Sequence, residues 1–267
     1  MRTRPEEARL YLACTSESHG ALLDAGRLTV VDWCRLCAEE LGLTAVELED
    51  RHIGEPTPGN VAAIRAALDR YRLELVNVAF MNDFALAGPA LVGEVERTRR
   101  WIAAAPDLGT RFLRTFAGWP KRDRDARWPA MIEALSAVTA AAETAGVRLV
   151  LENHNHDGFV QTAEDVERIL GAVQSPALGL LLDSGNYRDG VVSIQRTARL
   201  AWHAHAKFKQ VGPDGRDAVV DNVATLAALR TAGYTGCISI EYEGEEPGTT
   251  AVPRAVQYLR TLLDGRA

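Results

Sequence analysis

Short apolar runs alternate with longer amphipathic stretches along the chain. The runs are four to seven residues long and rich in aliphatic side chains, which is typical of buried parallel strands. We predict eight strands, over residues 10–14, 45–48, 73–78, 112–115, 149–152, 178–183, 201–207 and 238–241. The stretches between and after them predict eight helices, over residues 29–41, 60–71, 90–105, 127–145, 163–173, 194–200, 218–232 and 251–263. This alternation indicates an α/β fold with a parallel sheet.

Turn-forming residues support these boundaries. Gly42, Gly146 and Gly233 each follow a predicted helix, where a left-handed C-terminal cap favours glycine. Eight strand-helix units over residues 1–267 predict a single-domain (β/α)₈ TIM barrel. An open doubly wound sheet is the second choice, because no G-x-G-x-x-G or P-loop glycine run follows a predicted strand.

A polar side chain lies at or near the end of each of the last four predicted strands. These residues are Glu152, Asp183, His205 and Glu241. The C-terminal strand ends of a barrel meet at one mouth, where three carboxylates would repel one another unless a cation neutralised them. Carboxylates and one imidazole suit a single divalent ion; we expect Mn²⁺, with Mg²⁺, Co²⁺ or Zn²⁺ as alternatives. Taken singly, each residue could be a salt-bridge partner or a core histidine, so the coincidence of four carries the prediction.

The composition narrows the functional classes. A formal net charge of −6 at pH 7 and the absence of a long Lys/Arg stripe argue against nucleic-acid binding. No apolar stretch reaches the length of a membrane span, and the N-terminus lacks the apolar core of a signal peptide. We therefore expect a cytoplasmic protein with neither a nucleic-acid nor a membrane partner.

Cys34 and Cys37 have the C-x-x-C spacing of a redox pair or of half a zinc site. The chain has four cysteines and no second such pair to complete a zinc site. Residues 30–38 have the pattern of a helix interior, whereas a thioredoxin-type motif opens a helix. We predict that both cysteines pack as small apolar side chains.

Four short motifs surround the polar strand ends. They are Leu151-Glu152-Asn153-His154, Leu182-Asp183-Ser184-Gly185-Asn186, His203-Ala204-His205-Ala206-Lys207 and Ile240-Glu241-Tyr242-Glu243-Gly244. Together they resemble the motifs of the xylose isomerase-like TIM-barrel superfamily, also called the sugar phosphate isomerase/epimerase family. The motifs cover residues 148–244, and the resemblance in strand count runs the whole length.

The resemblance implies a divalent-metal-dependent isomerase or epimerase that acts on a ketose or a related polyol. In epimerase members, the residues matching Glu152 and Glu241 bind the metal and exchange protons on opposite faces of the substrate carbon, through a metal-stabilised enediolate. The residues matching Asp183 and His205 are ligands only. The resemblance also leaves a homo-oligomer open, because family members are often dimers or tetramers.

The family is chemically diverse, so alternatives remain open. It includes dehydratases and β-eliminating lyases that act on keto-sugars, keto-glycosides or inososes, and it includes endonuclease IV. Ketose epimerases carry a histidine where this chain has Asn186 and an arginine where it has Val211, which keeps a dehydratase or lyase as the alternative. A nuclease or a non-catalytic sugar-binding barrel is less expected.

Further candidates lie near the predicted mouth. By strand alternation, His154 shares a face with Glu152 and could act as a general acid or base, while Lys207 shares a face with His205 and could hold an enolate oxygen. A rim salt bridge is an equal alternative for Lys207. We also predict contacts with the sugar from five residues: Glu47, His52, Arg114, Trp119 and Asn186.

Overall fold

Eight parallel strands form a closed barrel in chain order in the computed structural model, which describes residues 10–121, 123–154 and 156–265. The strands are β1 (Tyr11–Thr15), β2 (Ala45–Glu49), β3 (Glu74–Ala79), β4 (Phe112–Thr115), β5 (Arg148–Glu152), β6 (Leu178–Asp183), β7 (Ala201–Phe208) and β8 (Cys237–Tyr242). Strand β1 pairs with both β2 and β8, which closes the barrel. The predicted single (β/α)₈ TIM barrel is therefore confirmed.

Helices surround the barrel. They are α1 (Gly20–Asp24), α2 (Val30–Arg35), α3 (Asp50–Ile53), α4 (Pro58–Tyr71), α5 (Pro89–Leu108), α6 (Arg124–Ala145), α7 (Ala163–Val173), α8 (Val191–Thr197), α9 (Asn222–Thr231) and α10 (Gly248–Leu263). A 3₁₀ turn (Ser16–His19) precedes α1, a π-helical turn (Leu36–Glu40) continues α2, and a second 3₁₀ turn (Ala198–Leu200) follows α8. Within the described ranges, no helix combines the length and apolar character needed to cross a membrane.

The predicted elements agree with the observed ones except at some ends. Each predicted strand overlaps an observed strand, and those over residues 112–115 and 178–183 have the predicted bounds. The helix predicted over residues 218–232 instead begins at Asn222, because the Asp221 side chain accepts a hydrogen bond from the Ala224 amide and caps it there. The short helices α1 and α3 were not predicted.

The interior of the barrel changes from apolar to polar along the strands. Near the N-terminal strand ends, the small side chains of Ala13, Ala45, Val76 and Cys237 pack together. Phe112, Val150 and Leu181 form a second apolar group. Strand alternation places the next inward residue two positions later, so Glu152 follows Val150 at the mouth. The apolar layers therefore support a polar layer at the C-terminal ends.

The C-x-x-C pair is part of the hydrophobic core. Cys34 and Cys37 are fully buried and free, and both belong to the large apolar cluster between the sheet and the helices. Trp33, which precedes Cys34, is also fully buried there. The prediction that these thiols pack as small apolar side chains is confirmed.

Candidate metal centre and active site

Four side chains converge at the C-terminal ends of β5 to β8. Each of Glu152, Asp183, His205 and Glu241 offers a ligand atom, and these atoms lie within 4.8 Å of one another. All four residues are at most 2% exposed. The His205 Nδ1 atom lies 3.3 Å from Glu241 Oε2 and 3.5 Å from Asp183 Oδ2. The structure thus brings together the four residues that the sequence predicted as ligands.

Two atoms of this cluster have no hydrogen-bond partner in the described part of the chain. They are Asp183 Oδ2 and His205 Nδ1, and both are buried. Among the described residues, the nearest cation to Asp183 Oδ2 is Lys207 Nζ, 3.3 Å away and not hydrogen-bonded to it. Buried polar atoms nearly always form hydrogen bonds, so two that form none and face each other indicate a place for a polar guest. Three carboxylates and an imidazole are the donor set of a divalent cation. The residues present therefore fit a metal ion.

Glu47 lies beneath this cluster and holds two histidines. His205 donates from Nε2 to Glu47 Oε1 at 2.9 Å, and His203 donates from Nε2 to Glu47 Oε2 at 2.8 Å. Asn77 Nδ2 adds a bond of 2.8 Å to Oε1. The other ring nitrogen of His205, Nδ1, therefore faces the cluster and would supply its lone pair to a bound cation. Burial would raise the pKa of Glu47, but the two histidines lower it well below its ordinary value.

This placement corrects the prediction that Glu47 contacts the sugar. The residue is 0% exposed, and both oxygens are occupied inside the barrel. The alternation of β2 correctly indicates that Glu47 points inward, but it does not say how deep in the barrel the side chain lies.

Lys207 is the cation closest to the four-residue cluster. Its Nζ contacts Glu241 Oε2 and lies 3.3 Å from Asp183 Oδ2 and 3.0 Å from Glu243 Oε1. The side chain is 2% exposed. Burial would lower the pKa of Lys207, but these carboxylates raise it well above its ordinary value, so the ammonium stays charged. The prediction that Lys207 reaches the mouth agrees with this geometry.

Arg114 and Asn186 orient Glu152 from two sides. Arg114 donates from Nη1 to Glu152 Oε2 at 3.1 Å, and Asn186 donates from Nδ2 to Glu152 Oε1 at 3.1 Å. The Nη2 atom of Arg114 donates to Glu49 Oε2 at 3.0 Å. Burial raises the pKa of Glu152 to about 7, and Arg114 opposes the rise. In this arrangement, Arg114 and Asn186, both predicted to contact the sugar, contact the Glu152 carboxylate.

Aromatic side chains from the segments after β4 and β5 form a wall beside the mouth. Trp119 donates from Nε1 to His154 Nδ1 at 3.3 Å, and the two rings meet edge to face. Phe116 packs against both rings, at centroid distances of 5.0 Å and 5.6 Å. Burial, helped by His156, lowers the pKa of His154 to about 4. The predicted Trp119 and His154 are thus brought together.

His52 lies in a different set of contacts. Its Nδ1 is 2.7 Å from Ser16 Oγ, and its Nε2 is 3.1 Å from Asp24 Oδ1. Both ring nitrogens are therefore engaged in joining the segments after β1 and β2. The contact of His52 with the sugar stays a prediction; in this structure its ring nitrogens contact Ser16 and Asp24.

Comparison of the sequence with known protein families gives a result that agrees with the barrel fold. Residues 36–262 match the xylose isomerase-like TIM-barrel family. The chain belongs to this family. None of the curated proteins matches the chain by sequence.

Solved structures show the same family fold at low sequence identity. The apo 3-keto-D-glucoside 4-epimerase of E. coli has a TM-score of 0.75 at 16% identity, over 95% of this chain and 100% of that one. A D-allulose 3-epimerase from Methylomonas sp. has a TM-score of 0.75 at 18% identity, over 95% and 98% of the two chains. The IolI protein with a bound zinc atom has a TM-score of 0.76 at 16% identity, over 96% and 98%. These similarities show a common fold.

Two residues at the mouth of the barrel were not predicted from the sequence. Glu49 ends β2 and is 2% exposed; its Oε1 atom is buried without a hydrogen-bond partner among the described residues. Burial raises the pKa of Glu49 to about 8, although Arg114 opposes the rise. Glu243 is the other missed residue, and it contacts Lys207. A strand prediction one residue longer would have found Glu49, because alternation places it on the same face as Glu47.

Proposed function

We propose that this protein is a divalent-metal-dependent sugar isomerase or epimerase that acts on a ketose or a related polyol. The observation that carries the proposal is the four-residue cluster, in which Glu152 on β5 and Glu241 on β8 flank two further ligand residues in strand order. The solved structures support it, because two of them are named as sugar epimerases and one holds a zinc atom.

The two glutamates have complementary roles in this proposal. One carboxylate removes the proton next to the substrate carbonyl, and the other returns a proton to the opposite face of the same carbon. Glu152 and Glu241 take these roles and also serve as ligands, while Asp183 and His205 are ligands only. A bound divalent cation, expected to be Mn²⁺ with Mg²⁺, Co²⁺ or Zn²⁺ as alternatives, supplies polarisation of the carbonyl and hydroxyl oxygens, which lowers the energy of the enediolate.

The charges around the mouth support a cation. Within the described residues, Lys207 contacts three carboxylates, Arg114 contacts two, and Arg51 also contacts one of these, so three cations face five carboxylates. Like charges this close raise the energy of the ionised state unless positive charge is added. A divalent ion supplies that charge.

The remaining side chains prepare the site for a small polar substrate. Arg114 and Asn186 fix the orientation of Glu152, and Lys207 lies where it can hold a negatively charged oxygen. The proposal includes a small-molecule sugar substrate, a cytoplasmic location, and neither a nucleic-acid nor a membrane partner. It leaves a homo-oligomer open.

The test combines metal analysis with isotope exchange. We expect one divalent ion per purified chain, and deuterium uptake next to the carbonyl when the loaded protein meets a panel of ketoses in D₂O. Glu152→Gln and Glu241→Gln should each lose about 10²-fold or more of the exchange rate. Glu96→Gln, which changes an exposed carboxylate on α5, is the matched control. Two results together would contradict the proposal: the purified wild-type protein holds no stoichiometric divalent ion, and Glu152→Gln and Glu241→Gln have the same metal content as wild type.

A dehydratase or a β-eliminating lyase on a keto-sugar, keto-glycoside or inosose is the second candidate. It begins with the same proton abstraction and then expels a hydroxyl or an aglycone, which requires a proton donor. The observation that favours it is Asn186, which lies where ketose epimerases carry a histidine. Release of water or of an aglycone in the D₂O experiment would identify this chemistry, whereas deuterium uptake alone identifies epimerisation.

A further inference from the structure

We propose that Trp119 holds His154 as a neutral imidazole whose Nε2–H donates a hydrogen bond to an oxygen of the bound substrate. His154 would then stabilise negative charge without transferring a proton. The inference rests on the proposed function, because the substrate is the one bound at the four-residue cluster. It adds a positioning residue, Trp119, and it separates the two candidate reactions.

The hydrogen bond between the two rings determines where the imidazole proton lies. An indole N–H can only donate, so His154 Nδ1, 3.3 Å from Trp119 Nε1, must accept. A nitrogen that accepts has no proton. The proton of the imidazole is therefore on Nε2, and the ring is neutral.

Packing and backbone contacts hold both rings in place. Phe116 and His156 lie against the His154 ring at centroid distances of 5.6 Å and 4.7 Å. The His154 amide donates to the Val160 carbonyl at 2.7 Å. The Trp119 amide donates to Asp83 Oδ1 at 3.0 Å. The pair therefore behaves as a preformed unit, as a hydrogen-bond donor in an active site should.

The Nε2–H is available to a ligand beside the cluster. His154 is half-buried and follows Glu152 by two residues, and the charges of Asp183, Lys207 and Arg114 all act on it. Its Nδ1 is turned to Trp119, so Nε2 points away from the indole. Across residues 10–121, 123–154 and 156–265, nothing accepts a hydrogen bond from this nitrogen.

A neutral donor has a definite chemical consequence. It stabilises an oxygen on which negative charge develops, but it is a poor acid, since losing its proton leaves an imidazolate. It therefore favours an enediolate that is protonated again on carbon, which is epimerisation or isomerisation. Expelling a hydroxyl needs a stronger acid, so this geometry counts against the dehydratase or lyase.

The first experiment reads the tautomer directly and needs no substrate. Heteronuclear NMR of the histidine side-chain nitrogens, on protein loaded with diamagnetic Zn²⁺, should show His154 protonated at Nε2 alone. Trp119→Phe keeps an aromatic ring but removes the N–H, so it should give a mixture of tautomers. Trp128→Phe, which alters an indole packed on Phe159 and Arg168, is the matched control and should leave the His154 signals unchanged. A His154 protonated at Nδ1 or at both nitrogens would overturn the proposal.

The second experiment tests the contact with an oxyanion. Acetohydroxamate is an anionic chelator whose two adjacent oxygens resemble an enediolate. We expect His154→Phe to weaken its binding to the Zn²⁺-loaded protein about tenfold, and His154→Gln, which keeps an N–H near Nε2, to recover most of the loss. An affinity that His154→Phe leaves unchanged, or a protein that binds Zn²⁺ but no acetohydroxamate, would overturn this inference alone. A protein that binds no divalent ion would instead defeat the proposed function.

Discussion

A single buried carboxylate, Glu47, sets the chemistry that His205 can offer. By accepting the Nε2–H, it leaves Nδ1 as a lone-pair donor in the proposed metal centre. It also accepts from His203, whose Nε2 lies 3.0 Å from Ser239 Oγ as well. Carboxylates behind ligand histidines commonly orient the ring and strengthen it as a ligand. Glu47 is thus expected to affect metal binding without touching the ion.

We expect Glu47→Gln to weaken Mn²⁺ binding about 10- to 100-fold. The amide has no charge, and it places an NH₂ group, which donates, where one of the two accepting oxygens stood, so one of the histidines loses its acceptor. Titration of free Mn²⁺ by electron paramagnetic resonance measures the change. Glu96→Gln should leave the dissociation constant at the wild-type value, since that residue is exposed on the helix surface, where it pairs with Arg99. Equal affinities for Glu47→Gln and wild type in a folded protein would contradict the orienting role.

Glu49 should make the stability of the protein depend on pH. Burial raises its pKa from 4.5 to about 8, so the folded state binds this proton more tightly than the unfolded chain. The contribution of Glu49 to stability is then largest at low pH and falls as pH rises from about 4.5 to 8. Glu49→Gln cannot titrate. Its unfolding free energy relative to wild type should therefore increase by about 1 to 4 kcal/mol between pH 5 and pH 8.

Urea unfolding at both pH values, in EDTA, measures this difference. Glu96→Gln is the matched control, because this carboxylate is exposed on the surface of α5, where it pairs with Arg99. The unfolding free energy of this control relative to wild type should not change between pH 5 and pH 8. A flat difference for Glu49→Gln would show that this carboxylate is ionised throughout.

At the scale of elements, the segments after β3, β4 and β5 meet at Gly118. Its φ is +102°, and an added Cβ would lie 2.2 Å from Asp83 Oδ1 and 2.5 Å from the Ala85 amide. Its carbonyl accepts from the Phe159 amide at 3.0 Å. A residue without a side chain is required here, both for the backbone conformation and for the close approach. The aromatic wall depends on this crossing, because Trp119 is the next residue.

We expect Gly118→Ala to destabilise the protein by about 2 kcal/mol or more, from backbone strain and the clash with Asp83. Gly93→Ala is the matched control, because Gly93 lies inside α5 with no atom within 4 Å of an added Cβ. That change should stabilise the protein by about 0.5 to 1 kcal/mol. Chemical unfolding of both variants provides the comparison. If Gly118→Ala matched the control, the close crossing of these segments would be wrong.

Secondary-structure elements that burial marks with an apolar pattern in the sequence could be predicted. Elements that are held by contacts between residues far apart in the chain could not. The strands were visible because each is an apolar run, and the four strand-end residues follow once the fold is a barrel. The short segments Ser16–His19 and Asp50–Ile53 carry no such pattern. They are held by contacts between residues far apart in the chain, such as Ser18 Oγ donating to the Ile240 carbonyl.

The same limit applies to the positions of Glu47, Arg114 and Asn186. Alternation indicated the inward direction of Glu47 but not its depth, which depends on how the neighbouring strands are staggered. The partners of Arg114 and Asn186 were hidden for a similar reason. Both contact Glu152, which lies on a different strand.

At the scale of the whole molecule, the candidate ligands come from four successive strands, β5 to β8. An ion bound to all of them binds the closed barrel and not the unfolded chain. Binding of that kind adds to the free energy of unfolding in proportion to the logarithm of ligand concentration. The proposed cation would therefore stabilise the fold as well as the reaction.

We expect Mn²⁺ at 100 times its dissociation constant to stabilise the protein by about 2.7 kcal/mol, a rise of roughly 5 °C in Tm. Differential scanning calorimetry with and without EDTA measures it. Asp183→Asn removes one charged ligand and should abolish most of the rise. An identical Tm in EDTA and in excess Mn²⁺ would argue against a cation that spans these strands.

The burial of the thiols has a practical consequence. All four cysteines are free and at most 4% exposed. Maleimide or methanethiosulfonate reagents should therefore react slowly with the native protein. A cysteine introduced at the exposed Val192, at the start of α8, would then be labelled selectively with a nitroxide. The dipolar coupling between that spin and Mn²⁺ would give the distance from position 192 to the ion without removing any native cysteine.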